Sequence, residues 1–138
     1  MLIKLYEDLV RIKETDIIGI LIDEQYRTDK KKNLYVLEEN KRDKDGRFPL
    51  HDVWENEIEL IDNKIKVYQS ATDEYIEMKV LARFKYIGET KTLAFTKNKI
   101  YDCVGFEESN LRIVDDTGED YLFLPDKFEL IEDFRRDS

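Results

Sequence analysis

The sequence is poor in the residues that build chemical sites. It contains one cysteine, Cys103, and one histidine, His51. A lone cysteine closes no internal disulfide, and a metal centre assembled from cysteine and histidine ligands is excluded by count. Pairing Cys103 with His51 as nucleophile and base would draw on different halves of the chain, whereas free cysteine commonly serves as a small core residue. No glycine-rich phosphate loop is present, and no apolar run approaches the roughly 18 residues that span a bilayer. The opening MLIKLYEDLV lacks the apolar region and small-residue cleavage site of a secretory signal. The expectation is a soluble, cytoplasmic protein with no cofactor and no bound metal.

An excess of positive charge is also missing. The formal net charge is -9, and both halves contribute: residues 1–69 carry 13 Lys and Arg against 16 Asp and Glu, residues 70–138 carry 10 against 16. Nucleic-acid binding draws most of its nonspecific affinity from neutralised phosphates, so an acidic chain starts at a disadvantage. One region runs against the trend, with Lys30, Lys31 and Lys32, then Lys41, Arg42, Lys44 and Arg47. These read as two solvated loops or, as the alternative, as a nucleic-acid patch.

What the chain does have is short apolar runs rich in β-branched and aromatic residues, the composition of pleated strands. Residues 9–12 and 17–23 form two such runs, the second containing Gly19, which signals a bulge or a close backbone approach. A loop is expected over 25–33, a strand over 34–37, and a charged hairpin loop with an Asp45-Gly46 turn over 38–47. Apolar character resumes at 48–50, residues 51–57 suit a short helical or 3₁₀ turn, and 58–61 form a strand. Ile65 and Val67 extend a further strand, and Ser70 with Asp73 has the signature of a helix start, which predicts one or two helical turns over 71–78. Residues 79–86 alternate as a strand, 93–95 are a short apolar segment, and Thr96-Lys97-Asn98 is a turn with Asn98 suited to a left-handed conformation. The runs at 100–104, 111–114, 121–124 and 128–131 then describe an antiparallel meander. At the extremities, residues 2–8 suit a helical turn or a leading strand, and 135–138 a frayed tail.

The chain also repeats itself in outline. Ile58-Glu59-Leu60-Ile61-Asp62 returns as Phe128-Glu129-Leu130-Ile131-Glu132, each after an apolar strand and a polar turn containing an aspartate, Asp52 or Asp126. Together with matching strand order this indicates two tandem copies of one small barrel. No Pro- or Gly-rich linker separates them, which favours packed units over tethered ones. The fold expected is therefore all-β, two small barrels at residues 1–66 and 67–138, with a short helical turn between them.

The segments Asn98-Lys-Ile-Tyr-x-Cys103, Arg112-Ile-Val-Asp-Asp-Thr-Gly-Glu-Asp-Tyr-Leu122 and Phe128-Glu-Leu-Ile131 resemble a small SH3-like β-barrel module of bacterial and phage proteins, over residues 79–132. Asn98 stands where that pattern has glycine. The first half, with Asp8-Leu-Val-Arg-Ile-Lys13 and Ile17-Ile-Gly-Ile-Leu-Ile-Asp23, is more loosely similar to SH3-like domains of the KOW type. The resemblance implies the barrel fold and a binding role, since this fold hosts protein, peptide and nucleic-acid ligands alike.

SH3-like barrels commonly take extended peptides on exposed rings between loops. The aromatic candidates are Tyr35, Phe48, Trp54, Tyr86, Tyr101, Phe106, Tyr121 and Phe123, most of them needed for the core of so small a fold. Tyr35, Phe48, Trp54, Lys31 and Arg42 are singled out as binding residues, Trp54 because its neighbours are polar. The acidic group Asp115, Asp116, Glu119 and Asp120 could hold Ca²⁺ or Mg²⁺ or serve a carboxylate-dependent hydrolase, but it lacks the ligand spacing of a calcium loop and reads as a hairpin turn. The function expected is non-enzymatic binding of another protein, with a nucleic-acid-binding KOW-like protein as the alternative and a hydrolase as the remote one.

Overall fold

The computed structural model describes residues 3–138. Twelve strands and two 3₁₀ turns make up its regular structure, with no α-helix among the described residues and hence none long and apolar enough to cross a membrane. The chain divides into two compact units, one comprising the sequence up to Asp62 together with Arg136–Ser138, the other Asn63–Arg135.

Unit 1 contains β1 (Leu9–Ile12), β2 (Ile18–Arg27), β3 (Lys32–Glu39), β4 (Leu50–Trp54) and β5 (Ile58–Leu60), with a 3₁₀ turn at Glu55–Glu57. All pairings are antiparallel and the order is β4-β3-β2-β1-β5. Alternation delivers one side of each strand to the core, which consists of Val10, Leu21, Tyr35, Leu37, Val53 and Ile58, covered by Ile3, Leu5, Ile12 and Ile17. Gly19 is the close approach its position announces: a Cβ there would lie 2.0 Å from the Glu38 carbonyl oxygen. The irregularity in this hairpin falls elsewhere, between Leu21 and Asp23. Of the opening segment, Leu2 lies outside the described residues, and the rest forms a turn in which the Asp8 carboxylate accepts from the Lys4 N–H at 2.8 Å.

Unit 2 begins with a hairpin of β6 (Lys64–Gln69) and β7 (Glu74–Lys79), followed by β8 (Ala82–Tyr86), β9 (Ile100–Glu107), β10 (Asn110–Val114), β11 (Asp120–Phe123) and β12 (Phe128–Asp133). Its main sheet has the order β11-β10-β9-β8-β12. Relabelled from its own first strand, that is the order of unit 1, and a 3₁₀ turn at Pro125–Lys127 again precedes the last strand. Ala82, Phe84, Tyr86, Phe95, Tyr101, Cys103, Leu111 and Ile113 form the core. Phe95 joins it from the 87–99 connection, stacked on Tyr86 at 4.9 Å and edge-on to Phe123 at 4.6 Å, separations at which aromatic pairs attract.

Four local expectations are corrected. The loop over 25–33 is only a four-residue turn, because Glu24 to Arg27 pair with Tyr35 to Lys32 in a polar extension of the β2–β3 hairpin. Strand pairing satisfies the backbone whatever the side chains, so a strand clear of the core carries no hydrophobic signal. The turn over 51–57 is mostly β4, and only Glu55–Glu57 are 3₁₀. The helix over 71–78, the turn expected between the barrels, is β7: Ser70 gives both its N–H and its hydroxyl to Glu119 at 2.8 Å instead of capping, and residues 74–79 pair with β6. Finally, the tail is not frayed, since Arg136–Ser138 belong to unit 1. The division between units falls after Asp62, ahead of the 66/67 position, which lies inside β6.

Candidate functional site

Unit 1 distributes the five singled-out residues over its core and both ends of β3. Tyr35 is a core residue, because alternation along β3 turns Tyr35 and Leu37 inward together. Burial, and after it the Glu24 charge, pushes its hydroxyl above the ordinary tyrosine pKa. Lys31 is exposed in the β2–β3 turn, in a left-handed conformation with φ of 53°. Trp54 ends β4 opposite Leu34, half-buried, its N–H donating to the Glu57 carboxylate at 2.8 Å. Both lie toward the beginning of β3. Arg42 and Phe48 lie beyond its other end, so Lys30 to Lys32 and the positives of residues 41–47 lie at opposite ends of an eight-residue strand, whose seven steps span roughly 23 Å at about 3.3 Å per residue.

The loop that carries Arg42 and Phe48 is organised by Asp43. One carboxylate oxygen of Asp43 accepts from the N–H groups of Asp45 at 2.9 Å and Arg47 at 3.0 Å. The Asp43 N–H donates to the Arg47 carbonyl at 2.7 Å, and Gly46 supplies the left-handed residue with φ of 78°. This is the usual way a short acidic side chain substitutes for backbone in a turn. At the base, Asn40 is buried and gives its N–H to the Ile18 carbonyl at 3.1 Å, and Glu39 gives its own to the Pro49 carbonyl at 2.9 Å.

On this loop lie Arg136–Ser138. The Asp137 N–H donates to the Asn40 carbonyl at 2.8 Å, and the Asp137 carboxylate accepts from the Arg42 N–H at 2.8 Å, with the Lys41 ammonium 3.6 Å away. The Arg42 Nε donates to the Ser138 carbonyl at 3.0 Å, and its Nη1 to the Gly46 carbonyl at 2.6 Å. Arg136 pairs with the Glu38 carboxylate. The guanidinium groups of Arg42 and Arg136 both lie 4.2 Å from the centre of the Phe48 ring, within cation–π range. The Arg42 N–H is the main cause holding the Asp137 carboxyl below its ordinary pKa, against some desolvation and with help from the Lys41 and Arg42 charges. Two of the five singled-out residues therefore meet. Lys41 was read only as part of a basic patch, and Glu38, Asn40 and the tail escaped sequence reasoning, because their encounter joins positions almost a hundred residues apart and leaves no local signal.

In unit 2 the acidic cluster is committed to structure. Asp115 accepts from the Thr117 N–H at 2.9 Å, turning the hairpin at Gly118. Asp116 accepts from Lys99 at 2.8 Å, Tyr101 at 2.9 Å and Thr96 at 3.0 Å. Its partial burial works against ionisation, but these three bonds together outweigh it and hold the carboxyl below the usual range. Glu119 accepts from Ser70 and from the Tyr121 hydroxyl, and the Ser70 N–H is the first cause of its lowered pKa. Asp120 accepts from Gln69 at 2.9 Å and Arg112 at 3.2 Å. Among the described residues no group of three or more His, Cys, Asp or Glu could hold a metal ion.

Of the remaining aromatic candidates, Tyr86 and Tyr101 are buried, Phe106 and Phe123 pack against the same core, and Tyr121 is exposed. Cys103 is buried in unit 2 and His51 lies in unit 1, its Nε2 2.6 Å from a Glu39 carboxylate oxygen. No family model matches the chain, and comparison with curated proteins and with solved structures finds no match.

Proposed function

We propose that this chain is a non-enzymatic binding module of two SH3-like units whose partner is a protein, and that unit 1 engages it through the loop carrying Arg42 and Phe48. The observation that carries this reading is the seating of Arg136–Ser138 on that loop by backbone hydrogen bonds, ion pairs and an aromatic face at once. Those are the ingredients of short-peptide recognition, where main-chain bonds supply affinity and side-chain contacts supply selectivity. The repeated strand order with a 3₁₀ turn before the last strand supports the SH3-like assignment. A net charge of -9 favours a basic partner, whose association it would accelerate. The nucleic-acid alternative is less well supported, because its lysines and arginines lie at opposite ends of β3 and Arg42 is already engaged. The hydrolase reading is weaker still, with each carboxylate of its cluster bonded to a local donor.

Panning a random peptide display library on the full chain tests the proposal. The expected outcome is recovery of peptides that bind with micromolar affinity and lose binding to a folded Phe48→Ala variant. Failure to recover any such peptide, with salt-sensitive binding of RNA or DNA instead, overturns it.

A further inference from the structure

We infer that the segment recognised at this loop is an extended one in which an arginine is followed directly by an aspartate, and that Arg136-Asp137 is the chain's own copy of it. The inference rests on the reading of unit 1 as a peptide-binding module and goes on to specify what it reads.

Each of the two positions has its own partners. The arginine pairs its charge with Glu38 and lays its guanidinium on Phe48. A planar, delocalised cation can do both, whereas a lysine ammonium is a compact point charge that gives up the flat contact. Because Arg42 uses the same ring, two positive groups converge on it. Their repulsion is offset by Glu38 and by the residue that follows the arginine, which must therefore be acidic. That residue is further restricted in length. Its N–H donates to the Asn40 carbonyl while its own carboxylate accepts from the N–H of Arg42, two residues further along the loop. The two bonds close a small ring through one side chain, whose size suits aspartate; glutamate adds a methylene and displaces one bond or the other. The third position is contacted at its carbonyl, by the Arg42 Nε. A main-chain contact leaves its side chain unread.

A tethered segment acts at an effective concentration in the millimolar range. The chain's own tail therefore competes with any segment arriving from outside.

The test uses the full chain carrying Arg136→Ala and Asp137→Ala, together with a labelled, end-capped peptide spanning residues 133–138, followed by fluorescence anisotropy. The double variant is expected to bind the peptide at least tenfold more tightly than the unchanged chain. Peptides with lysine for Arg136 or glutamate for Asp137 should bind the double variant at least tenfold more weakly, and adding Phe48→Ala should abolish binding. Concentration-dependent dimers of the unchanged chain that vanish in the double variant would also support the inference, with a second copy as the source of the segment. No binding by a double variant whose circular dichroism and melting match the unchanged chain overturns it, as does equal binding of the lysine or glutamate peptides. If library peptides bind and the 133–138 peptide fails to displace them, the Arg-Asp assignment falls while the module reading stands. If neither binds, both fall.

Discussion

A Cβ placed on Gly19 would lie 2.0 Å from the carbonyl oxygen of Glu38, so β2 and β3 approach more closely there than any side chain allows. The obstruction is backbone on a paired strand, which cannot swing away as a flexible side chain would. Gly19→Ala is expected to destabilise the protein by about 2 to 3 kcal/mol, the cost of forced overpacking. Gly105 is the control: its nearest neighbour in the same construction is the Arg112 Cβ at 3.4 Å, an ordinary contact, and alanine there should change stability by less than about 1 kcal/mol. Urea titrations of both variants measure this, and equal stability of the two would refute the close-approach account.

The Asp116 node makes a second prediction. Tyr101→Phe removes the hydroxyl that donates to Asp116 and also accepts from the Thr96 N–H at 2.6 Å, and should cost about 1 to 2 kcal/mol through the loss of two part-buried hydrogen bonds. The pH dependence follows from the lowered pKa of Asp116. A carboxyl depressed in the folded state contributes its full stability above its unfolded pKa of about 3.9 and loses it as the pH falls through the lower folded value. Asp116→Asn should therefore show a shallower loss of melting temperature than the unchanged chain as pH falls below about 4, read by calorimetry across that range. Parallel acid curves for the two proteins would count against it.

The tail should titrate and exchange as one group. Phe48→Ala removes the ring that Arg42 and Arg136 share, so amide exchange at Asp137 and at Arg42 should accelerate together, with β8 to β10 unaffected. Because Asp137 also has a lowered pKa, set first by the Arg42 N–H, docking should persist at neutral pH and weaken below the ordinary aspartate value of about 3.9. Nuclear magnetic resonance of these two amides reads both effects. Exchange at Asp137 that ignores Phe48 would show the tail to be held by something else.

Cys103 should be inert in the native protein. It is buried among Ala82, Tyr101 and Ile113, and burial is the leading cause of its raised thiol pKa. Only the thiolate reacts appreciably, so a disulfide reagent should modify it no faster than the protein unfolds, and adding denaturant should bring the rate up with the unfolding transition. Rapid modification of the folded chain would contradict the burial.

Local alternation and turn chemistry were enough to set several elements without reference to the rest of the fold. The meander from Ile100 onward, the left-handed Asn98, the tight spot at Gly19 and the repeat of Ile58-Glu59-Leu60 in Phe128-Glu129-Leu130 were all legible, because each signal lies within a few residues of its consequence. Tertiary structure decided what depends on distant partners. Residues 74–79 became a strand because β6 offered them a ladder, and Ser70 left its capping role because Glu119 was within reach. Tyr35 went to the core while Phe48 came to lie under two guanidinium groups, though both rings had been singled out alike. The site could be read only in part for the same reason: Arg42 and Phe48 were visible as types, but the tail that gives them meaning arrives from almost a hundred residues away, and no local pattern encodes a contact across that distance.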